Sequence, residues 1–118
     1  MCQINGFLRT PIRNLSAGFR KRVALADALL LRPRVLLLDD FLSGLDRGMR
    51  ATVGSVLSCA AAFSSVIVTG HEVEDFAQWA TRFHVLSDGI IGATVDTTGL
   101  DPDKLRARLG AALAEDMR

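Results

Sequence analysis

The spacing of hydrophobic positions changes several times along this chain, and each change marks an element. From Ser16 to about Leu31, the residues Phe19, Val23, Ala26 and Leu30 recur at helical spacing. That predicts a helix with Ser16 as its N-cap, ended by Pro33. Val35-Leu36-Leu37-Leu38 is a short, continuously apolar run between turn signals, which predicts a strand buried on both faces. Met49, Val53, Val56, Leu57 and Ala60 form a second helical stripe, within a helix expected from Arg47 to about Phe63. Val66 to Thr69 predicts the next buried strand, and Glu72 to Ala80 the next helix. Residues 82–87 alternate as a half-exposed strand, Asp88-Gly89 signals a two-residue hairpin, and Ile90-Ile91 begins the return strand. Asp101-Pro102 then opens a last helix, Asp as N-cap and Pro at its first position, with Leu105, Leu109 and Leu113 on one side.

This order implies an α/β fold: parallel strands joined by right-handed crossover helices, followed by an antiparallel hairpin and a helix. Two buried strands and three helices make a thin core, so the sequence reads as truncated at its amino end. The 118 residues, 49% of them apolar, have room for one domain or part of one. A net charge of +1 gives no long-range field toward nucleic acid or an anionic membrane, and no nucleic-acid partner is expected. Arg13, Arg20, Lys21 and Arg22 are locally basic, which a solvated helix face explains. Cys2 and Cys59 form neither a disulfide framework nor a metal-site spacing, and they fit a reducing cytoplasm. The longest apolar stretches stop well short of the ~20 residues that span a bilayer, so membrane association is expected only through a partner.

Four short segments carry candidate chemistry. Asp39 and Asp40 follow the first apolar run, at the strand end where ligands sit in an open α/β sheet. A divalent cation bridging nucleotide phosphates needs a hard carboxylate there, and Asp39 is placed to be it. Asp40 could orient or deprotonate an attacking water. Taken alone, two acids after a strand are equally a polar turn. Leu15-Ser16-Ala17-Gly18 opens a helix whose free N–H groups suit a phosphate, although an ordinary Ser cap looks the same. Ser43-Gly44-Leu45-Asp46 reads as a Gly turn and an Asp cap. Val68-Thr69-Gly70-His71-Glu72 puts a histidine just beyond the second strand, whereas His84 reads as structural.

In this order and at these separations, the four segments resemble the signature, Walker B, D-loop and switch histidine of ABC-type ATPases. The hairpin from Arg82 to Ile91 resembles the one that closes that family's core, so the likeness covers roughly residues 10 to 93. The resemblance implies a partial P-loop NTPase fold without its Walker A portion, for no Gly-x-x-x-x-Gly-Lys-Ser/Thr occurs. It implies ATP and Mg²⁺ as cofactors, with Asp39 on the metal, Asp40 as water-orienting base and His71 on the γ-phosphate. Ser16, Ala17 and Gly18 would complete a partner's site in trans, and Asp46 would lie in the D-loop at a dimer interface. The function implied is that of an ATP-hydrolysing subunit of an ABC transporter. Its partners would be a second nucleotide-binding domain and a transmembrane permease subunit, at the cytoplasmic face of the membrane.

Phe19-Arg20-Lys21-Arg22-Val23 is similar to the signature continuation of ABC-2-like exporters. Residues 1–95 then form the carboxyl-terminal part of the nucleotide-binding domain and 96–118 a helical extension. Asp40 stands where the family has Glu, and Phe41 where it has Pro. With the phosphate loop and its lysine missing, the chain alone is expected to bind ATP poorly and not to hydrolyse it. Two other readings stay open: a non-catalytic module that lends a signature helix to a partner, and an ABC ATPase serving DNA repair or translation. The transported substrate is not legible.

Overall fold

Ser16 caps a helix: its hydroxyl accepts from the Phe19 N–H at 3.3 Å, and α1 runs Ala17–Leu30. The computed structural model describes residues 9–116, in two packing units that divide between Asp75 and Phe76. In the first unit, Arg32 takes a positive φ of 45° and turns the chain into β1, Val35–Leu38. β1 pairs in parallel with β2, Ser65–Val68, in the register Leu36 to Val66 and Leu38 to Val68. The connection is α2, Arg47–Ala60, whose N-cap Asp46 accepts from the Met49 N–H at 2.8 Å. The core of this unit holds Leu25, Leu36, Leu38, Val53, Leu57 and Ala60. Leu57 is fully buried, which stabilises the fold by about 2–3 kcal/mol through apolar transfer.

Three expectations need correction in this unit. β1 is covered on one face only: Val35 is 52% exposed and Leu37 69%, with Ile67 of β2 at 56% on the same face. Successive strand side chains point to opposite faces, and no described residues close the second face of this pair. In α1 the buried position is Leu25 rather than a stripe ending at Leu30, which is 78% exposed. Five residues of helix rotate about 500°, which puts Leu30 roughly 140° around from Leu25. Residues 72–80 do not form a helix. A 3-10 turn spans Val73–Asp75, and the bonds that follow are turns, from Trp79 N–H and Ala80 N–H to the Phe76 carbonyl at 3.1 and 2.8 Å. The division between the two units falls inside this segment, so no run of i to i−4 bonds propagates through it.

The second unit is a hairpin with a helix. β3, Arg82–Ser87, pairs antiparallel with β4, Ile90–Asp96. Asp88 and Gly89 have φ of 48° and 78°, the left-handed pair that matches strand twist in a two-residue turn. The register skips from Val85–Ala93 to Leu86–Ile91, which leaves Gly92 as the extra residue of a bulge. α3, Pro102–Asp116, packs on both strands and is capped by Asp101, whose carboxylate accepts from the Lys104 N–H at 2.9 Å. Leu105 and Leu109 are buried, but Leu113 is 46% exposed, so the expected stripe of three leucines is a stripe of two. His84 pairs across the hairpin, Nδ1 to the Thr94 hydroxyl at 2.9 Å.

Cys59 is a free, exposed thiol, and Cys2 lies outside the described residues. Among the described residues no helix is long and apolar enough to cross a membrane.

Candidate functional site at the strand ends

Parallel neighbours end at the same sheet edge, so β1 and β2 deliver their following residues side by side. The Thr69 N–H donates to the Leu38 carbonyl at 2.9 Å, carrying the pairing one step past the strands. The Thr69 hydroxyl then donates to a carboxylate oxygen of Asp39 and accepts from the Asp40 N–H at 2.8 Å. A hydroxyl can do both at once. One side chain thereby fixes the Asp39 carboxylate and the Asp40 backbone. Asp40 has a φ of 47°, in the left-handed region that Asp tolerates better than most residues. His71 follows Thr69 by two residues, and Asp39, Asp40, Thr69 and His71 are all exposed.

The loop from Asp40 to Asp46 folds back on itself. The Ser43 N–H donates to the Asp40 carbonyl at 3.3 Å and the Leu45 N–H to the Leu42 carbonyl at 3.2 Å. Gly44 sits at φ 73°, where a Cβ would add strain. Leu42 and Leu45 are buried and anchor the loop from below. Two basic side chains hold its carbonyls. Lys21 of α1 donates to the carbonyls of Phe41, at 2.9 Å, and Ser43, and its ammonium lies 5.7 Å from the centre of the Phe41 ring. Arg50 of α2 donates from Nε to the Leu45 carbonyl at 2.9 Å and from Nη1 to the Asp75 carboxylate at 3.1 Å. The start of α1 borders the same loop, since a Cβ on Gly18 would stand 3.6 Å from Leu45 and 3.8 Å from Met49. An open cleft of about 450 Å³ lies beside Leu45, Arg50 and Asp75, lined also by Arg47, Glu72 and Glu74. Asp39, Asp40 and His71 do not line it.

The family model described as "ABC transporter" matches residues 1–43. The molybdenum import ATP-binding protein ModC of Mycobacterium tuberculosis (strain CDC 1551 / Oshkosh) is 41% identical over 107 residues, 86% of this chain. The chain belongs to the ABC transporter ATP-binding family. The ribose import ATP-binding protein RbsA of Jannaschia sp. (strain CCS1) is 33% identical over 99 residues, 83% of this chain. Of these relatives' own lengths the chain spans 28% and 19%. Among solved structures, the ATP-binding cassette MJ1267 superposes with a TM-score of 0.77 at 18% identity, covering 92% of this chain and 42% of that one. That likeness bears on fold alone. The MJ0796 cassette, solved as a dimer in a post-hydrolysis state with ADP and Pi, matches at 26% identity and a TM-score of 0.67. It covers 75% of this chain and 38% of the cassette. The α/β fold expected from sequence, parallel strands with a hairpin and helix after them, is the fold of these cassettes.

Within this ABC chain, the oxygen donors at the strand ends suit Mg²⁺, a hard cation that takes one or two carboxylates together with phosphate oxygens and water. Asp39 is exposed at the sheet edge and would be that carboxylate. Among the described residues no group of three or more His, Cys, Asp or Glu could cage a metal alone, which leaves most of the coordination to phosphate and water. For the triphosphate, the sequence has no phosphate loop, and the described donors are those at the start of α1. There the Ser16 hydroxyl is engaged with the Phe19 N–H while Ala17 is exposed. Asp46 is likewise engaged as the cap of α2.

Sequence reasoning missed three residues here. Thr69 had a signal, a lone hydroxyl at the end of an apolar run. Lys21 was hidden in a basic cluster read as a solvated face. Arg13 and Arg20 are exposed as that reading expects, but it is corrected at the other two: Lys21 is half-buried on two carbonyls, and Arg22, also half-buried, stacks 4.2 Å from the Phe19 ring centre. Arg50 carried no signal at all.

Proposed function

We propose that this chain contributes the signature helix, strand acids, D-loop and switch histidine of an ATP-hydrolysing subunit of an ABC transporter. The observation that carries the reading is the Thr69 hydroxyl between the Asp39 carboxylate and the Asp40 N–H, at the edge where two parallel strands finish. Asp39 holds Mg²⁺, which when bound neutralises phosphate charge. Asp40 orients the attacking water and His71 meets the γ-phosphate. Ser16, Ala17 and Gly18 face a nucleotide held by a second nucleotide-binding domain, and Asp46 lies where the two domains meet. The dimeric state of the MJ0796 cassette supports that pairing. A transmembrane permease subunit brings the assembly to the cytoplasmic face of the membrane. Residues 1–95 are the cassette portion and 96–118 its helical extension.

The named relatives act in ribose and molybdenum import, which favours import. The run Phe19-Arg20-Lys21-Arg22-Val23 favours an ABC-2-like exporter and is the narrower support. Asp40, one methylene shorter than the family's glutamate, favours a second reading in which this chain lends its signature helix while its own acid stays idle.

The 118-residue chain by itself binds Mg-ATP more weakly than about 0.1 mM and releases no phosphate, because no loop N–H cradle is present in its sequence. Isothermal titration with Mg-ATP and a phosphate-release assay test this. Micromolar affinity, or steady release abolished by Asp40→Asn, would overturn it.

A further inference from the structure

We infer that Lys21 is a positioning residue that pins the loop after the strand acids to the signature helix. Three contacts converge on its one ammonium group: the Phe41 carbonyl, the Ser43 carbonyl and the face of the Phe41 ring. The two carbonyls are two residues apart, and neither accepts one of the loop's own bonds, which run to the carbonyls of Asp40 and Leu42. The loop is bracketed by left-handed residues, Asp40 at φ 47° and Gly44 at φ 73°. Glycine adopts that region freely, but a residue such as Asp40 keeps it only where its surroundings over-determine it. Lys21 supplies part of that determination from α1, on the two carbonyls that follow Asp40, while the Thr69 hydroxyl holds the Asp40 N–H itself.

The consequence is mechanical. Gly18 lies against Leu45 at one end of the loop while Lys21 holds Phe41 and Ser43 at the other. The start of α1, the strand-end acids and the turn leading into α2 are therefore joined as one body. What that body serves rests on the function proposed above, where α1 and the acids face two different nucleotides. The pin does not rest on it. Lysine suits the task because its flexible stem carries three rotatable donors, enough for two carbonyls with one to spare.

The test is residue-level amide exchange by NMR on the full chain without nucleotide, in wild type, Lys21→Met and Lys21→Arg. Met keeps the stem and removes the charge and donors, while Arg restores both. The reporters are the Ser43 and Leu45 amides within the loop, and the control is the Thr69 amide, which donates to the Leu38 carbonyl one step past the paired strands. Loss of a charge-assisted hydrogen bond is expected to speed loop exchange roughly 10-fold in Lys21→Met. Thr69 should stay within twofold, and Lys21→Arg should restore most of the loop's protection. Unchanged loop exchange in Lys21→Met overturns the inference. So does an equal rise at Thr69, which would make Lys21 a general support of the fold. A nucleotide titration that fails leaves this result unaffected, so the two proposals fail separately.

Discussion

Removing the Arg50 guanidinium should loosen the end of the acid loop from the segment that follows His71. Arg50 makes one bond to the Leu45 carbonyl and an ion pair with Asp75, and the two side chains are 32% and 15% exposed. Exposed pairs are worth about 0.2–1 kcal/mol, whereas breaking a fully buried pair costs about 3–5 kcal/mol. An intermediate pair with one extra backbone bond should therefore cost about 2 kcal/mol in Arg50→Met, which keeps the aliphatic stem. With a urea m value near 2 kcal/mol/M, the midpoint falls by about 1 M. Asp75→Asn should cost less, about 1 kcal/mol, because the asparagine amide still offers the guanidinium an acceptor. The double variant should reveal a coupling of about 1 kcal/mol. Urea melts by circular dichroism on all four proteins measure it. A coupling near zero, or Arg50→Met within about 0.5 kcal/mol of wild type, would refute the argument.

Three more outcomes follow from the same geometry. Thr69→Val removes the hydroxyl from the Asp39 carboxylate and the Asp40 N–H while keeping β-branched shape; it should destabilise by about 1 kcal/mol in urea melts, and Thr69→Ser should not. Asp40→Glu places a less tolerant residue at φ 47° and should cost about 0.5–1 kcal/mol, whereas Asp40→Gly should relieve the backbone; equal stability of all three would contradict the strain. The Asp101 carboxyl is held below its ordinary 3.8, chiefly by the Lys104 N–H it accepts from and then by the Lys104 side chain. Because the folded form titrates lower than the unfolded, its contribution is present above pH 3.8 and is lost as pH falls below that value. Asp101→Asn should flatten the acid end of the thermal stability profile; an unchanged slope would sink this account.

Much of the fold was legible because local chemistry and tertiary placement agree. Ser16, Asp46 and Asp101 each cap the helix their position announced, and Asp88-Gly89 forms the hairpin turn its dipeptide demands. The failures lie where burial depends on what covers an element. A run of Val35 to Leu38 says that a strand is apolar, but not that one face stays open. The segment 72–80 has a plausible helical pattern, yet it spans the division between two packing units, and no local signal marks that. At the candidate site, the residues proposed to carry chemistry, Asp39, Asp40 and His71, were visible in the sequence. The side chains that hold Asp39, the Asp40 backbone and the loop after them were not, because Thr69, Lys21 and Arg50 act largely through contacts 20 to 30 residues distant. Hydrogen bonds to backbone carbonyls, such as those of Lys21, leave no trace in the sequence of the acceptor.

The central claim is that the ends of β1 and β2 form a phosphate- and Mg²⁺-facing edge. The measurement that tests it most directly is a backbone amide shift map of the labelled chain during titration with Mg-ATP into the millimolar range. The account predicts Mg²⁺-dependent shifts at Asp39, Asp40, Thr69, Gly70 and His71, reduced by Asp39→Asn, with β3 and β4 unaffected. Shifts confined to other residues, or none at these five at the end of the titration, would contradict it.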